Sequence, residues 1–339
     1  MFRSKPSSSS LGRRAIVLGA SMAGLLAARV LAERFDEVWL LERDALPDGA
    51  QARKGTPHAV HAHGLLARGR EVLESLFPGF TEALEARGAL VGDLQTNAPF
   101  VAAGRRFASG RCGRRGLACS RLAIEAEVRR RVLALPQVRA VTDVDVVQPV
   151  LEGSRVTGVR IVQRATGAQE TLAADFVVDC TGRGSRLPTW LREWGFDAPA
   201  EERVDVGIGY ATAYLRREPE QAPGIAAMIF TATPELPLPG VLLAQEADAD
   251  GTLRWVATLG GYAGDHPPAT IEAMRERARR MGDPTFARLL QDAEPIGPVL
   301  RYGFPQASAA ATSGSPPSPS ACWRWATRSP ASTRFTARA

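Results

Sequence analysis

Six consecutive residues carry the first chemistry legible in the chain. Gly19, Ala20, Ser21, Met22, Ala23 and Gly24 follow a short apolar run at 15–18, and Glu42 stands 18 positions beyond Gly24. A glycine at the first position permits a tight turn off a strand, and one at the sixth lets a helix pack closely on a sheet. The amides between them, at a helix N-terminus, attract phosphate with the help of the helix dipole. A carboxylate at the distance of Glu42 can accept hydrogen bonds from ribose hydroxyls. Ser21 takes the place of the middle glycine of this fingerprint, adding a Cβ near the phosphate together with a hydroxyl donor. The implied ligand is an ADP-ribose-type cofactor.

The elements that must position these residues read as a strand at 15–18, a helix at 25–34 and a second strand at 37–41 ending at Glu42. This unit alone does not separate NAD from FAD. Further along, a buried strand at 176–180 breaks into Thr181-Gly182-Arg183-Gly184, followed by Ser185-Arg186. Ser120 is placed to cap a helix over 121–135, with Glu125 and Glu127 in its first two turns. Toward the C-terminus, 204–216 alternates as a strand, and 241–246 and 253–259 flank a turn signal at 248–251 as a hairpin. Residues 267–281 read as one amphipathic helix with an arginine-rich solvated face.

Other chemistry-bearing residues give less. Cys112, Cys119, Cys180 and Cys322 show no CxxC spacing, so neither a zinc site nor a disulfide framework is indicated. His58, His61 and His63 fit no structural zinc pattern, and no metal site is expected. His266 precedes Pro267-Pro268 and reads as a loop residue. No catalytic acid or base can be named.

Together, Gly-x-Ser-x-x-Gly, Leu41-Glu42-Arg43-Asp44, Ser120-Arg121 with Glu125, and the run from Val177 to Arg186 resemble the FAD-dependent monooxygenases of the p-hydroxybenzoate hydroxylase fold. The segments Arg53-Lys54-Gly55-x-Pro57-His58-x-x-His61-Ala62-His63-Gly64 and Gly261-Tyr262-x-Gly264-Asp265-His266 are similar to the bacterial branch that includes polyether polyketide epoxidases. The resemblance covers roughly residues 14–305. It implies an α/β fold: a Rossmann-like FAD-binding domain with a parallel sheet, plus a smaller mixed-sheet substrate domain with one helix. It implies that Glu42 holds the adenosine ribose with Arg43 beside it, that Arg121 faces the ribityl or pyrophosphate, and that Asp179 to Gly182 approach the cofactor. The 58–63 loop would cover the flavin and steer its movement. The implied reaction is oxygen transfer from O2, through a flavin hydroperoxide, to an apolar secondary-metabolite-type substrate by hydroxylation or epoxidation. There is no second glycine fingerprint, so NAD(P)H would bind transiently or act through a partner reductase. A flavin reductase resembling those of geranylgeranyl lipids is the alternative enzyme.

The expected domains are a disordered basic tail at 1–14, an FAD-binding domain at 15–200 with part of the substrate wall near 90–110, a substrate domain at 201–305, and a disordered tail at 306–339. Of 42 basic residues only Lys5 and Lys54 are lysine, which suggests a GC-rich coding sequence. The net charge of +6 invites a nucleic-acid reading, but eight positive charges lie in the first 14 and last 34 residues, leaving 15–305 at −2. A polyanion partner is therefore not expected. Arg13-Arg14 before an apolar stretch is similar to a twin-arginine export signal, yet the same residues run into the phosphate-binding unit, so a cytoplasmic location and no transmembrane segment are expected.

The last 34 residues contain nine Ala and seven Ser but no Leu, Ile, Val, Asp, Glu or Lys. The resemblance requires here a strand ending in Gly-Asp. Read in the neighbouring frame, the junction of Cys322 and Trp323 forces Leu, that of Trp325 and Ala326 forces Gly, and that of Phe335 and Thr336 forces His or Tyr. With permitted choices elsewhere the segment reads as an apolar strand, Gly-Asp, and Asn-Pro-x-His-Gly-Gln-Gly. A frameshift near residues 305–307 is therefore expected, leaving this chain truncated within its flavin site, with an inactive truncated protein as the alternative to an active enzyme.

Overall fold

In the computed structural model, residues 10–198, 201–267, 269–310 and 322–324 are described, those at 201–202, 304–310 and 322–324 by their backbone alone. Among the described residues, contacts divide the chain into two units, one of 10–56 with 128–202, 308–310 and 322–324, and one of 57–127 with 203–307. The expectation of one cofactor domain over 15–200 differs at 57–127, which groups with the second unit. The reason is strand pairing: Phe100–Ala102 runs parallel to Ala227–Thr231 in the same sheet.

The first unit opens with β1 (Gly12–Leu18), α1 (Met22–Leu31) and β2 (Phe35–Leu41). Its parallel sheet has the order Cys322–Arg324, Phe176–Asp179, β1, β2, Val138–Val141. Ala15, Ile16, Val17 and Leu18 are fully buried, as expected of a central parallel strand covered on both faces. Leu18 pairs with both Leu41 and Asp179. Three strands therefore end flush, and Gly19, Glu42 and Cys180 begin the loops at one carboxyl edge, where open α/β sheets take ligands. An antiparallel sheet of Val144–Glu152, Arg155–Gln163 and Gln169–Ala173 shares a core with the parallel one. That core joins Ile16, Leu18 and Val177 to Val159, Ile161 and Trp190.

Strand replaces the expected disorder at several tail positions. Gly12 to Arg14 belong to β1, 306–310 continue the strand Pro295–Ala310, and Cys322–Arg324 form a short strand. The remainder of both expected tails, at 1–9, 311–321 and 325–339, lies outside the described residues.

The second unit is built on a mixed seven-stranded sheet. Its order is Pro295–Ala310, Glu201–Arg216, Arg254–Gly261, Gly240–Gln245, Ala227–Thr231, Phe100–Ala102, Arg105–Arg106. The expected single helix at 267–281 is corrected to two, Ile271–Arg280 and Pro284–Asp292. Gly282, at φ +81°, turns the chain between them. Asp283 then caps the second helix by accepting from the Phe286 amide at 3.0 Å, with Pro284 in its first turn. Met274, Ala278, Phe286 and Leu290 pack with Phe230 and Leu242 of the sheet. Among the described residues no helix is long and apolar enough to cross a membrane.

Candidate functional site

The glycine turn is dictated by backbone sterics. Gly19 has φ +93°, which L side chains rarely adopt, and a Cβ there would come within 2.9 Å of the Cys180 carbonyl. At Gly24 a Cβ would lie 1.7 Å from the Gly19 carbonyl oxygen, so no other residue fits. Ser21 is the N-cap of α1 in extended backbone. The first bond of the helix runs from the Leu25 amide to the Ser21 carbonyl at 2.9 Å. The amides of Met22, Ala23 and Gly24 thus precede the intrahelical ladder, in the usual place of orphan donors. Within the expected phosphate set, the Ala20 amide donates to Glu42 Oε2 at 2.9 Å and helps to aim the carboxylate.

Glu42 is only 8% exposed and densely held. Its Oε1 accepts from the amides of Arg43 at 2.9 Å and Asp44 at 3.2 Å. Arg53 Nη1 lies 2.9 Å from Oε2, and Arg53 Nη2 donates to the Ala20 carbonyl at 3.1 Å. Arg53 also reaches Asp44 Oδ2 at 3.5 Å, and that carboxylate accepts from the Gly55 amide at 2.6 Å. One buried guanidinium therefore ties the glycine turn, the acid and the 44–55 loop together. Sequence reasoning placed Arg53 only within a resembling segment; no spacing rule marks it. The Arg43 side chain is exposed, and its amide is the part that engages Glu42.

Asp179, 3% exposed, faces its own turn. Its Oδ1 accepts from the Thr181 amide at 2.9 Å and from the Thr181 hydroxyl, and its Oδ2 accepts from the Ser185 hydroxyl. It thereby shapes the loop that carries Gly182, which has φ +69°. Beside it, burial and the Asp179 charge push the Cys180 thiol up to about 12, so it is an inert thiol. The first unit thus gathers Gly19 to Gly24, Glu42, Arg43, Asp179 and Gly182 on its strand ends.

Arg121 belongs to the second unit, where it begins the helix Arg121–Leu133 and pairs with Glu125 at 3.0 Å. Ser120 caps that helix, its hydroxyl accepting from the Ala123 amide at 2.9 Å. Its own amide and hydroxyl donate to the buried carboxylate of Glu246 at 2.7 and 2.6 Å.

The histidine loop is fixed to the second unit's sheet at several points. Tyr214 donates to the Val60 carbonyl at 2.6 Å, and the Ala62 amide donates to Thr258 Oγ1 at 3.1 Å. Thr258 and Thr212 hydroxyls lie 2.7 Å apart, and Thr212 Oγ1 lies 2.7 Å from His61 Nδ1. His61 is thereby tied to the sheet through Nδ1. Burial, with His63 nearby, pushes its pKa down to about 4, so the ring is neutral. Tyr302 stacks obliquely on it at 5.5 Å and Tyr210 at 6.3 Å. Burial, together with Tyr262 and Tyr302, pushes the Tyr210 phenol up to about 12. Among the described residues no cluster of His, Cys, Asp and Glu has a metal-holding arrangement.

The fold is that of flavin-dependent monooxygenases and their relatives. The p-nitrophenol 4-monooxygenase PnpA from Pseudomonas putida superposes with a TM-score of 0.63 at 14% identity, covering 88% of this chain and 70% of that one. A triple mutant of the flavin-dependent brominase Bmp2 gives 0.62 at 14% identity, covering 88% and 69%. The family model for FAD dependent oxidoreductases matches residues 15–189, just over half of the chain, and the protein belongs to that family. It is also 37% identical over 301 residues to Protein Rv3254 of Mycobacterium tuberculosis, spanning 86% of this chain and 62% of that relative's length.

Proposed function

We propose that the protein is an FAD-dependent monooxygenase acting on a small, largely apolar molecule with an electron-rich ring or alkene. The observation that carries this reading is the strand-end cluster of the first unit. Both glycines are sterically obligatory, three amides of α1 precede its hydrogen-bond ladder, and a buried carboxylate is fixed beside them. These features suit FAD: Met22, Ala23 and Gly24 would hold the pyrophosphate and Glu42 the adenosine ribose. Gly182, on the loop shaped by Asp179, would complete the contacts within this unit. Bound FAD supplies two-electron chemistry and the activation of O2.

The chain's own residues would bind, orient and exclude water. The sheet face carrying Tyr210, Thr212 and Tyr214 holds the histidine loop through Thr212–His61 and Tyr214–Val60. There the neutral His61, held through Nδ1 by Thr212, would offer its other ring nitrogen for a hydrogen bond with substrate. NAD(P)H, as a transient donor or through a partner reductase, supplies electrons in this reading, and the cytoplasm is the expected location. The test is to measure O2-dependent oxidation of NADPH with isotopic oxygen recovered in product. Reduction of an alkene without O2 uptake would instead favour a flavin reductase of isoprenoid-like lipids.

The same reading includes a change of frame near residues 305–307. Its support is local. The backbone of Cys322–Arg324 stands parallel to Phe176–Asp179, with Arg324 opposite Asp179. The neighbouring frame forces Leu within this strand and Gly immediately after it. A Gly-Asp pair would thus emerge at the same carboxyl edge as Gly19 and Glu42. Resequencing the genomic DNA across the codons for 305–325 decides the point: a base gained or lost restores the motif, and confirmation of the present bases removes the proposal.

A further inference from the structure

An arginine-rich stretch of the second unit is not used by the reading above. No Asp or Glu occurs between Asp93 and Glu125, whereas Arg105, Arg106, Arg111, Arg114, Arg115 and Arg121 all lie there. Part of the stretch borders a cleft of about 260 Å³ lined by Gly92, Asp93, Asn97, Arg111, Gly113 and Arg115, among others.

Asp93 and Arg115 stand opposite each other where Leu90–Asp93 pairs with Arg115–Ala118. An acid and a base in that register normally pair. Here the carboxylate is already saturated by its own loop. Oδ1 accepts from the amides of Gln95 at 3.0 Å, Thr96 at 3.1 Å and Cys112 at 3.3 Å, and Oδ2 accepts from Gly113 at 2.7 Å. The Cys112 thiol adds a fifth donor at 3.3 Å. These bonds hold the Asp93 carboxyl well below the usual carboxylate range. Asn97 is also committed, its Oδ1 to the Asp93 amide at 2.8 Å and its Nδ2 to the Gly224 carbonyl at 2.7 Å.

With two arginines against one internally bonded carboxylate, the cleft carries a net positive charge. Neither the Arg111 nor the Arg115 guanidinium has an acid partner among the described residues, unlike Arg106, which grips Asp283 at 2.9 Å, and Arg114, which approaches Glu71 at 3.9 Å. Two guanidinium forks in a cleft whose acid and amide are spent internally match the oxygens of a tetrahedral anion. The volume holds a phosphate group and a small part of what bears it, not a whole dinucleotide.

We propose that this cleft binds the phosphate group of a small-molecule ligand through Arg111 and Arg115. A nucleotide phosphomonoester and free phosphate share that chemistry. The test uses the full chain with saturating FAD, so that the glycine turn is occupied, and titrates inorganic phosphate and 2′,5′-ADP, with adenosine as the uncharged control. Binding of either phosphate probe that weakens about tenfold or more in Arg111→Gln/Arg115→Gln is the expected result, in keeping with the loss of charge-assisted bonds. Tighter binding of 2′,5′-ADP assigns a nucleotide; equal binding assigns the bare phosphate group. Arg105→Gln, which removes a neighbouring charge outside the cleft, should leave both affinities unchanged, and all variants should keep the wild-type melting temperature because the Asp93 loop is untouched. No binding by wild type, or the same affinity in the double variant, overturns the proposal.

Discussion

The two units build their polar sites in opposite ways. In the first, the site is backbone: amides at the start of α1, two glycines that tolerate no Cβ, and a carboxylate held by the amides of Ala20, Arg43 and Asp44. In the second, it is side chains from distant segments: His61 meets Thr212 across 151 positions, and Thr212 meets Thr258 across 46. Backbone sites require fixed spacing and therefore leave a motif. Side-chain sites require only that the sheet bring partners together, and they leave none.

That contrast can be broken most severely at Gly24. Valine there should prevent α1 from packing and abolish retention of FAD, with a loss of stability beyond the ~1–3 kcal/mol of ordinary overpacking, because the obstructing atom is a backbone carbonyl. Thermal unfolding and bound-flavin absorbance are the measurements.

Next comes Arg53, whose buried guanidinium ties Glu42 to the glycine turn. Arg53→Met leaves Glu42 buried with its amide donors but no counter-charge, and should cost about 3–5 kcal/mol. Adding Glu42→Gln should recover part of that loss. Denaturant unfolding of the two single variants and the double variant reads the coupling; additive losses would mean the pair does not act as a unit.

The second site should instead be exposed by pH. The folded pKa of His61 is lowered by burial and by His63, to about 4, whereas an unfolded histidine titrates near 6.5. Between those values the unfolded chain binds more protons, so stability falls as the pH drops from about 6.5 towards 4. His63, lowered mainly by burial, acts in the same direction. His61→Gln should flatten this slope. Thr212→Val removes the hydroxyl bonded to Nδ1 and should shift the tautomer balance of the imidazole, visible in nitrogen-resolved NMR of the ring.

The smallest effect belongs to Ser21. Ser21→Gly at the N-cap should change stability by only about a few tenths of a kcal/mol, and FAD affinity measured alongside tells whether the hydroxyl reaches phosphate.

The same contrast explains what was legible. The strand, turn, helix, strand and acid of the first unit were readable because sterics fix their spacing. Even so, α1 begins at Met22 rather than at 25, since the residues after Ser21 are already helical. It ends at Leu31 rather than 34, where the Arg34 amide turns back to the Leu31 carbonyl at 2.8 Å. The second helix of the other unit, Pro284–Asp292, carried a readable signal in Asp283-Pro284, an N-cap followed by proline. Arg53 and the His61 network carried none, because their partners are set by tertiary contact.

The central claim is that the strand-end cluster of the first unit binds FAD. The most direct measurement is a flavin-fluorescence titration of FAD into the wild-type chain, the Gly24→Val variant and a version with the reading frame restored. Saturable binding by the wild type, tighter binding in the restored chain and none with Gly24→Val is the expected pattern. Binding that Gly24→Val leaves unchanged, or no binding even in the restored chain, would contradict the account.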